Sequence, residues 1–146
     1  MTELPVDAGD ELGAGEWMEI TQERIDAFSE ATEDHQWIHK AGERADEGPF
    51  GGPIAQGFLT LSLVGTLTTD VMRPLMQNSA MVVNYGLDRV RFITPVPVGS
   101  RIRARARLAD VKPFDGGHDV KSEVTIEIEG GSRPAAVAET LVRVYG

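Results

Sequence analysis

The sequence predicts a single α+β domain in which one buried helix precedes a run of antiparallel strands. Three observations predict it. Ile54, Phe58, Leu59, Leu61, Leu63, Val64 and Leu67 cover nearly every face of a helix, so a helix there must be surrounded by protein. From Ser100 onward the chain alternates with period two, the mark of strands with one wet face. The length of 146 residues suits one core and one site.

Taken in order, residues 1–16 are acidic and carry proline and glycine, and read as a surface arm ahead of a domain over residues 17–146. Trp17 to Ile20 is a short extended stretch. Thr21 is a helix N-cap, and Ile25, Phe28 and Ala31 recur at helical spacing over about three turns. Between His39 and Pro53 one weak helical turn is mixed with Gly48, Gly51, Gly52 and two prolines, which is the chemistry of a flap.

The strands follow. Ala80 to Phe92 is the first, broken at Gly86. In Ser100 to Asp110, Ile102, Ala104, Ala106 and Leu108 share one face and Arg101, Arg103, Arg105 and Arg107 the other. In His118 to Glu129, Val120, Val124, Ile126 and Ile128 oppose a row that includes Glu123, Glu127 and Glu129. A turn at Phe114-Asp115-Gly116-Gly117 joins these two strands, so the arginine and glutamate rows should be cross-strand neighbours on the outer surface. Ala136 to Tyr145 is the last strand.

Composition narrows the function. A formal charge of -9, from 14 basic and 23 acidic side chains, argues against a nucleic-acid binder, which must neutralise phosphates with Lys and Arg. With no cysteine, disulfides, thiolate metal sites and cysteine nucleophiles are excluded. The N-terminus lacks a basic-then-apolar signal pattern, and the longest apolar run is shorter than the roughly 20 residues a bilayer crossing needs. A soluble, cytoplasmic domain without a membrane role is expected.

Asp34-His35-Gln36-Trp37-Ile38-His39 puts a carboxylate and two imidazoles within six residues. Asp34 and His39 can both point at one small molecule, and imidazole titrates near neutral pH as a proton-transfer group should. The plainer reading makes Asp34 a turn cap and His39 a structural histidine. His35 and His39, four apart beside Asp34, could instead hold a divalent metal, but the third histidine, His118, lies in the strand half and leaves the ligand set incomplete. Trp37, with Ile38, either walls a site or pins the loop to the core. Gly57, near the start of the buried helix, offers an amide without an intrahelical acceptor at the positive end of the helix dipole, or else simply permits tight packing.

On these residues the chain resembles the MaoC-like hydratase/dehydratase family, the (R)-specific enoyl-CoA hydratases of the hotdog fold. That family's signature is an Asp, a variable residue, usually Asn-Pro, an aliphatic residue and His; here Gln36-Trp37 stands for Asn-Pro. The stretch from Gly52 through Ile54 and Gln56 to Phe58 is similar to the start of the family's central helix, and Asn84 to Phe92 and Pro95 to Ser100 look like the strand and turn that follow. Gln56 stands where many members have histidine, and Gly65 where some place a serine.

The resemblance implies an antiparallel sheet wrapped around a long helix, and reversible hydration of trans-2-enoyl thioesters of coenzyme A or acyl carrier protein. It assigns proton transfer to Asp34 and His39. The oxyanion and substrate contacts fall to Gly57, Gln36, Gln56, Trp37 and Ile54. No metal and no separate cofactor is implied, and a homodimer is expected. A thioesterase on the same fold and a non-catalytic acyl-thioester-binding partner subunit are the alternatives.

Overall fold

The computed structural model describes residues 6–146, and of the expected arm residues 1–5 lie outside the described residues. The strands are β1 (Glu11–Ala14), β2 (Met18–Glu19), β3 (Met81–Phe92), β4 (Arg101–Phe114), β5 (Gly117–Ile128) and β6 (Ala136–Tyr145). The helices are α1 (Gln22–Thr32), α2 (Glu43–Asp46), α3 (Gly57–Ser62), α4 (Val64–Leu67) and α5 (Arg73–Met76). Every pairing is antiparallel, in the order β1-β4-β5-β6-β3, with β2 also on β4. No described helix is long and apolar enough to cross a membrane.

The alternation seen in the sequence becomes the two faces of β4 and β5. Ile102, Ala104, Ala106 and Leu108 are fully buried. On the other face Arg103 and Arg107 stand opposite Glu127 and Glu123 in the register. Arg103 and Arg105 both reach Glu127, at 3.1 and 3.3 Å, and Arg101 reaches Glu129 at 3.0 Å. The arginine row is therefore matched by carboxylates. Gly116, at φ 118°, makes the two-residue turn that joins the strands, a conformation glycine adopts without steric penalty.

The central helix lies on the inner face of this sheet. Leu59, Leu63, Val64 and Leu67 pack with Ile25 of α1 against Ile102, Ala104, Ala106 and Ile126, each buried leucine or isoleucine contributing on the order of 1.5–3 kcal/mol. A second cluster, Met72, Leu75, Leu108, Val120 and Val144, closes one end beneath α5.

Several expectations need correction. The helix is not one unbroken rod: Leu63 at φ -81° and ψ -8° divides it into α3 and α4. Nor is it enclosed on all sides, since Phe58 is 69 % exposed. The end of the expected arm is strand β1, paired with β4, and Gly15 lies so close to the Leu67 carbonyl that a Cβ would overlap it. Strand β3 is not broken at Gly86 but runs through it, its register shifting between Asn84 and Gly86 and again between Leu87 and Arg89. In α1 the buried residues are Ile25 and Ser29, while Ala31 is exposed, because the helix rests on Gln56 through Ser29. Thr21 does cap α1, accepting from the Arg24 amide at 3.1 Å.

Candidate active site

Three backbone segments meet below the central helix. Ile54 donates its amide to the Ile38 carbonyl at 3.0 Å and pairs with Pro97. Ala55 donates to Val96 and Val98 to Pro53, at 2.8 and 3.0 Å. The extended run before α3 is thus tied on one side to the 3-10 turn Trp37–His39 and on the other to the segment after β3.

That tie orients His39. Its ring is buried, 6 % exposed, and Nδ1 lies 2.7 Å from the Ile54 carbonyl oxygen. A carbonyl only accepts, so Nδ1 carries a proton, and in the neutral ring Nε2 presents its lone pair. Nε2 faces Asp34 Oδ2 at 3.8 Å. Asp34 is 43 % exposed along its side chain, and its Oδ1 accepts the Gln36 amide at 3.2 Å, which fixes the carboxylate at the head of the turn. A carboxylate and a bare imidazole nitrogen cannot hydrogen-bond each other. A water molecule, with two O–H groups, can bond both.

Beside this pair is a pocket of about 250 Å³ whose lining includes Ile38, His39, Ile54, Gly57, Phe92 and Thr94. Gly57 is the first residue of α3, with Gln56 as its N-cap, so its amide has no intrahelical acceptor. A Cβ at Gly57 would lie 3.1 Å from the Phe92 ring, so the glycine also permits that close approach. Both sequence readings of Gly57, open amide and tight packing, are compatible with this geometry.

Comparison with known proteins places the chain. Residues 5–129 match the MaoC like domain. The 3-hydroxyacyl-thioester dehydratase Z of Mycobacterium tuberculosis is 45 % identical over 145 residues, covering 98 % of this chain and 94 % of the relative. Nodulation protein N of Rhizobium leguminosarum bv. viciae is 48 % identical over 141 residues, covering 94 % and 86 %. The chain belongs to the MaoC-like dehydratase family. Its hotdog fold is shared with the (R)-hydratase from A. caviae involved in PHA biosynthesis, at TM-score 0.74 and 20 % identity over 96 % of this chain and 98 % of that one.

Within this MaoC-like site the remaining expected residues divide. Ile54 lines the pocket and holds His39 through its carbonyl. Gln56, Gln36 and Trp37 do not line it. Gln56 is 2 % exposed and turns its amide nitrogen to the Ile25 carbonyl at 3.1 Å and the Ser29 hydroxyl at 2.8 Å, joining α3 to α1. The Gln36 side chain is exposed, and its amide rather than its side chain meets Asp34. Trp37 stacks under Arg44 at 4.4 Å and packs against Gly48, so it pins the flap while its neighbour Ile38 walls the pocket. His35 faces Glu30 at 3.8 Å and is separate from the Asp34–His39 contact. Thr60, Thr94 and Ala135 line the pocket without having been singled out in the sequence, where a threonine in a strand or helix reads as an ordinary structural residue.

Proposed function

We propose that this MaoC-like dehydratase is an (R)-specific enoyl-CoA hydratase that adds water reversibly to trans-2-enoyl thioesters of coenzyme A or acyl carrier protein, giving (R)-3-hydroxyacyl thioesters. The observation that carries the reading is the 3.8 Å approach of His39 Nε2 to Asp34 Oδ2 beside a pocket that also holds the start of α3. Water between these two acceptors is aimed by both. As its oxygen bonds to C3, one of the pair takes a proton from the water, and that same proton is then delivered to C2, directly or through the other member of the pair. The elements of one water molecule are thus added and both groups return to their starting state. The Gly57 amide receives the thioester oxygen as it gains enolate character, a contribution of about 2.7–4 kcal/mol for one such donor in other enzymes. The substrate class agrees with the name of the Mycobacterium tuberculosis relative, and the stereochemistry with that of the A. caviae hydratase.

The working unit is proposed to be a homodimer. Strand β3 is an edge, and Met81, Val83, Tyr85, Leu87 and Phe92 on it are all exposed, with Phe58 nearby. A second copy laid along this edge would cover them beside the pocket that Phe92 lines.

The test is hydration of crotonyl-CoA, followed by loss of the conjugated-thioester absorbance, with free-thiol release measured in parallel. Hydration with an (R)-3-hydroxy product supports the reading. Thiol release from saturated acyl-CoA without hydration would replace it with a thioesterase.

A further inference from the structure

Two buried side-chain polar atoms, Gln56 Oε1 and Thr94 Oγ1, have no hydrogen-bond partner among the described residues. The amide nitrogen of Gln56 is engaged with α1, and its side chain does not line the pocket. Thr94 does line it, together with His39 and Gly57. The pocket lining it shares includes the carbon side chains of Ile54, Phe92, Pro95 and Val96, and a buried hydroxyl without a partner is unfavourable beside them. Valine would fill the same volume without that penalty.

The backbone that carries the hydroxyl is also held in place. The Thr94 amide donates to the Ala135 carbonyl at 3.2 Å, as does that of Ile93 at 2.8 Å. Pro95 restricts the residue before it to extended backbone. A donor fixed on a rigid segment and lacking a partner in its own chain is suited to a partner that arrives with a ligand.

We propose that Thr94 is a substrate-binding residue whose hydroxyl donates a hydrogen bond to an oxygen of the bound acyl thioester, either the thioester carbonyl or the oxygen on C3. This deepens the hydratase reading and rests on it. The two oxygens belong to the same reacting segment and present the same acceptor chemistry. A saturated thioester has only the first of them.

The experiment compares the wild type with Thr94→Val and Thr94→Ser, using crotonyl-CoA for hydration, 3-hydroxybutyryl-CoA for dehydration and butyryl-CoA as a competitive inhibitor. Thr94→Val should lower kcat/KM about tenfold, the scale of one neutral hydrogen bond. Its Tm should equal or exceed that of the wild type, and Thr94→Ser should recover most of the activity. A butyryl-CoA inhibition constant that rises in step assigns the carbonyl; one that stays constant assigns the C3 oxygen. A wild type that does not hydrate crotonyl-CoA overturns the functional reading itself. An active wild type with Thr94→Val within about twofold of it overturns only the role of Thr94. A lowered Tm that Thr94→Ser does not restore, or a loss that disappears at protein concentrations that restore a dimer, overturns it as well by making the hydroxyl structural.

Discussion

Asp34→Asn and His39→Ala should separate chemistry from stability, because the two residues are held differently. The asparagine would keep an oxygen for the Gln36 amide, and the Asp34 side chain is nearly half exposed, so the turn should survive and Tm should change little. His39→Ala removes a buried ring and leaves the Ile54 carbonyl without its 2.7 Å donor. An orphaned buried acceptor costs about 1–3 kcal/mol, and for a domain of this size each kcal/mol lowers Tm by roughly 2–4 °C. A fall of several degrees is therefore expected for His39→Ala alone. Hydration of crotonyl-CoA should drop by about 10²–10⁴-fold in both variants, the range for loss of a positioned acid or base. Calorimetry and initial rates on the same preparations read the two effects. Near-wild-type turnover by folded Asp34→Asn would refute the shared-water arrangement, and an unchanged Tm for His39→Ala would refute the structural half of the argument.

Further outcomes can be stated briefly. Gly57→Ala should fold, since the glycine has no positive φ and the half-exposed Phe92 ring can yield to a Cβ 3.1 Å away, but the shifted ring should lower kcat/KM, as steady-state kinetics would show. Leu108→Ala, at a fully buried position, should cost about 2–5 kcal/mol by chemical denaturation without changing the pocket. Arg143 donates to Asp119 at 2.7 and 2.9 Å, and this hydrogen bonding holds the Asp119 carboxyl below its ordinary 3.8. A depressed value means the stabilisation is fully present above pH 3.8 and is lost as pH falls through the folded value. Carboxyl NMR titration of Asp119 should show this, with the value returning toward 3.8 in Arg143→Gln.

How much of this was legible in the sequence depended on the range of the interactions. Strands β5 and β6 could be read nearly to the residue, and β4 as far as Asp110, because period two is written into Ile102 to Leu108 and Val120 to Ile128. The last residues of β4, to Phe114, were missed because its register shifts between Leu108 and Asp110 and burial stops alternating there. The Asp34–His39 pair was legible for a similar reason: both lie in one turn. Strand β1 was hidden because four residues, Glu11–Ala14, join the sheet through backbone bonds that leave little trace in side-chain pattern. The direction of Gln56 was equally hidden, since only the distant Ile25 and Ser29 determine it. Thr94 carried no signal at all. Its meaning depends on a missing partner, which no sequence pattern records.

Strand β3 gives the last prediction, and the irregularity that obscured it is part of the argument. Nearly all of its residues are at least partly open on both faces, whereas β4, at the other side of the sheet, buries every second residue from Ile102 to Leu108. Its register shifts fall around Tyr85 and Asp88, and Asp88 is held by Lys121 at 2.8 Å, so the strand is twisted yet still presents Val83, Tyr85 and Leu87 outward. An apolar edge of this kind invites pairing, which a symmetric second copy would satisfy without open-ended growth. A lysine in place of Leu87, on the exposed edge, should therefore weaken self-association while leaving the core and the Asp34–His39 contact intact. Sedimentation equilibrium should find the wild type dimeric and Leu87→Lys shifted toward monomer, with hydration falling as the dimer dissociates, because Phe92 on the same strand lines the pocket. A wild-type chain that is monomeric and fully active at assay concentration would exclude the dimer, and would make the exposed edge a docking surface for a different protein.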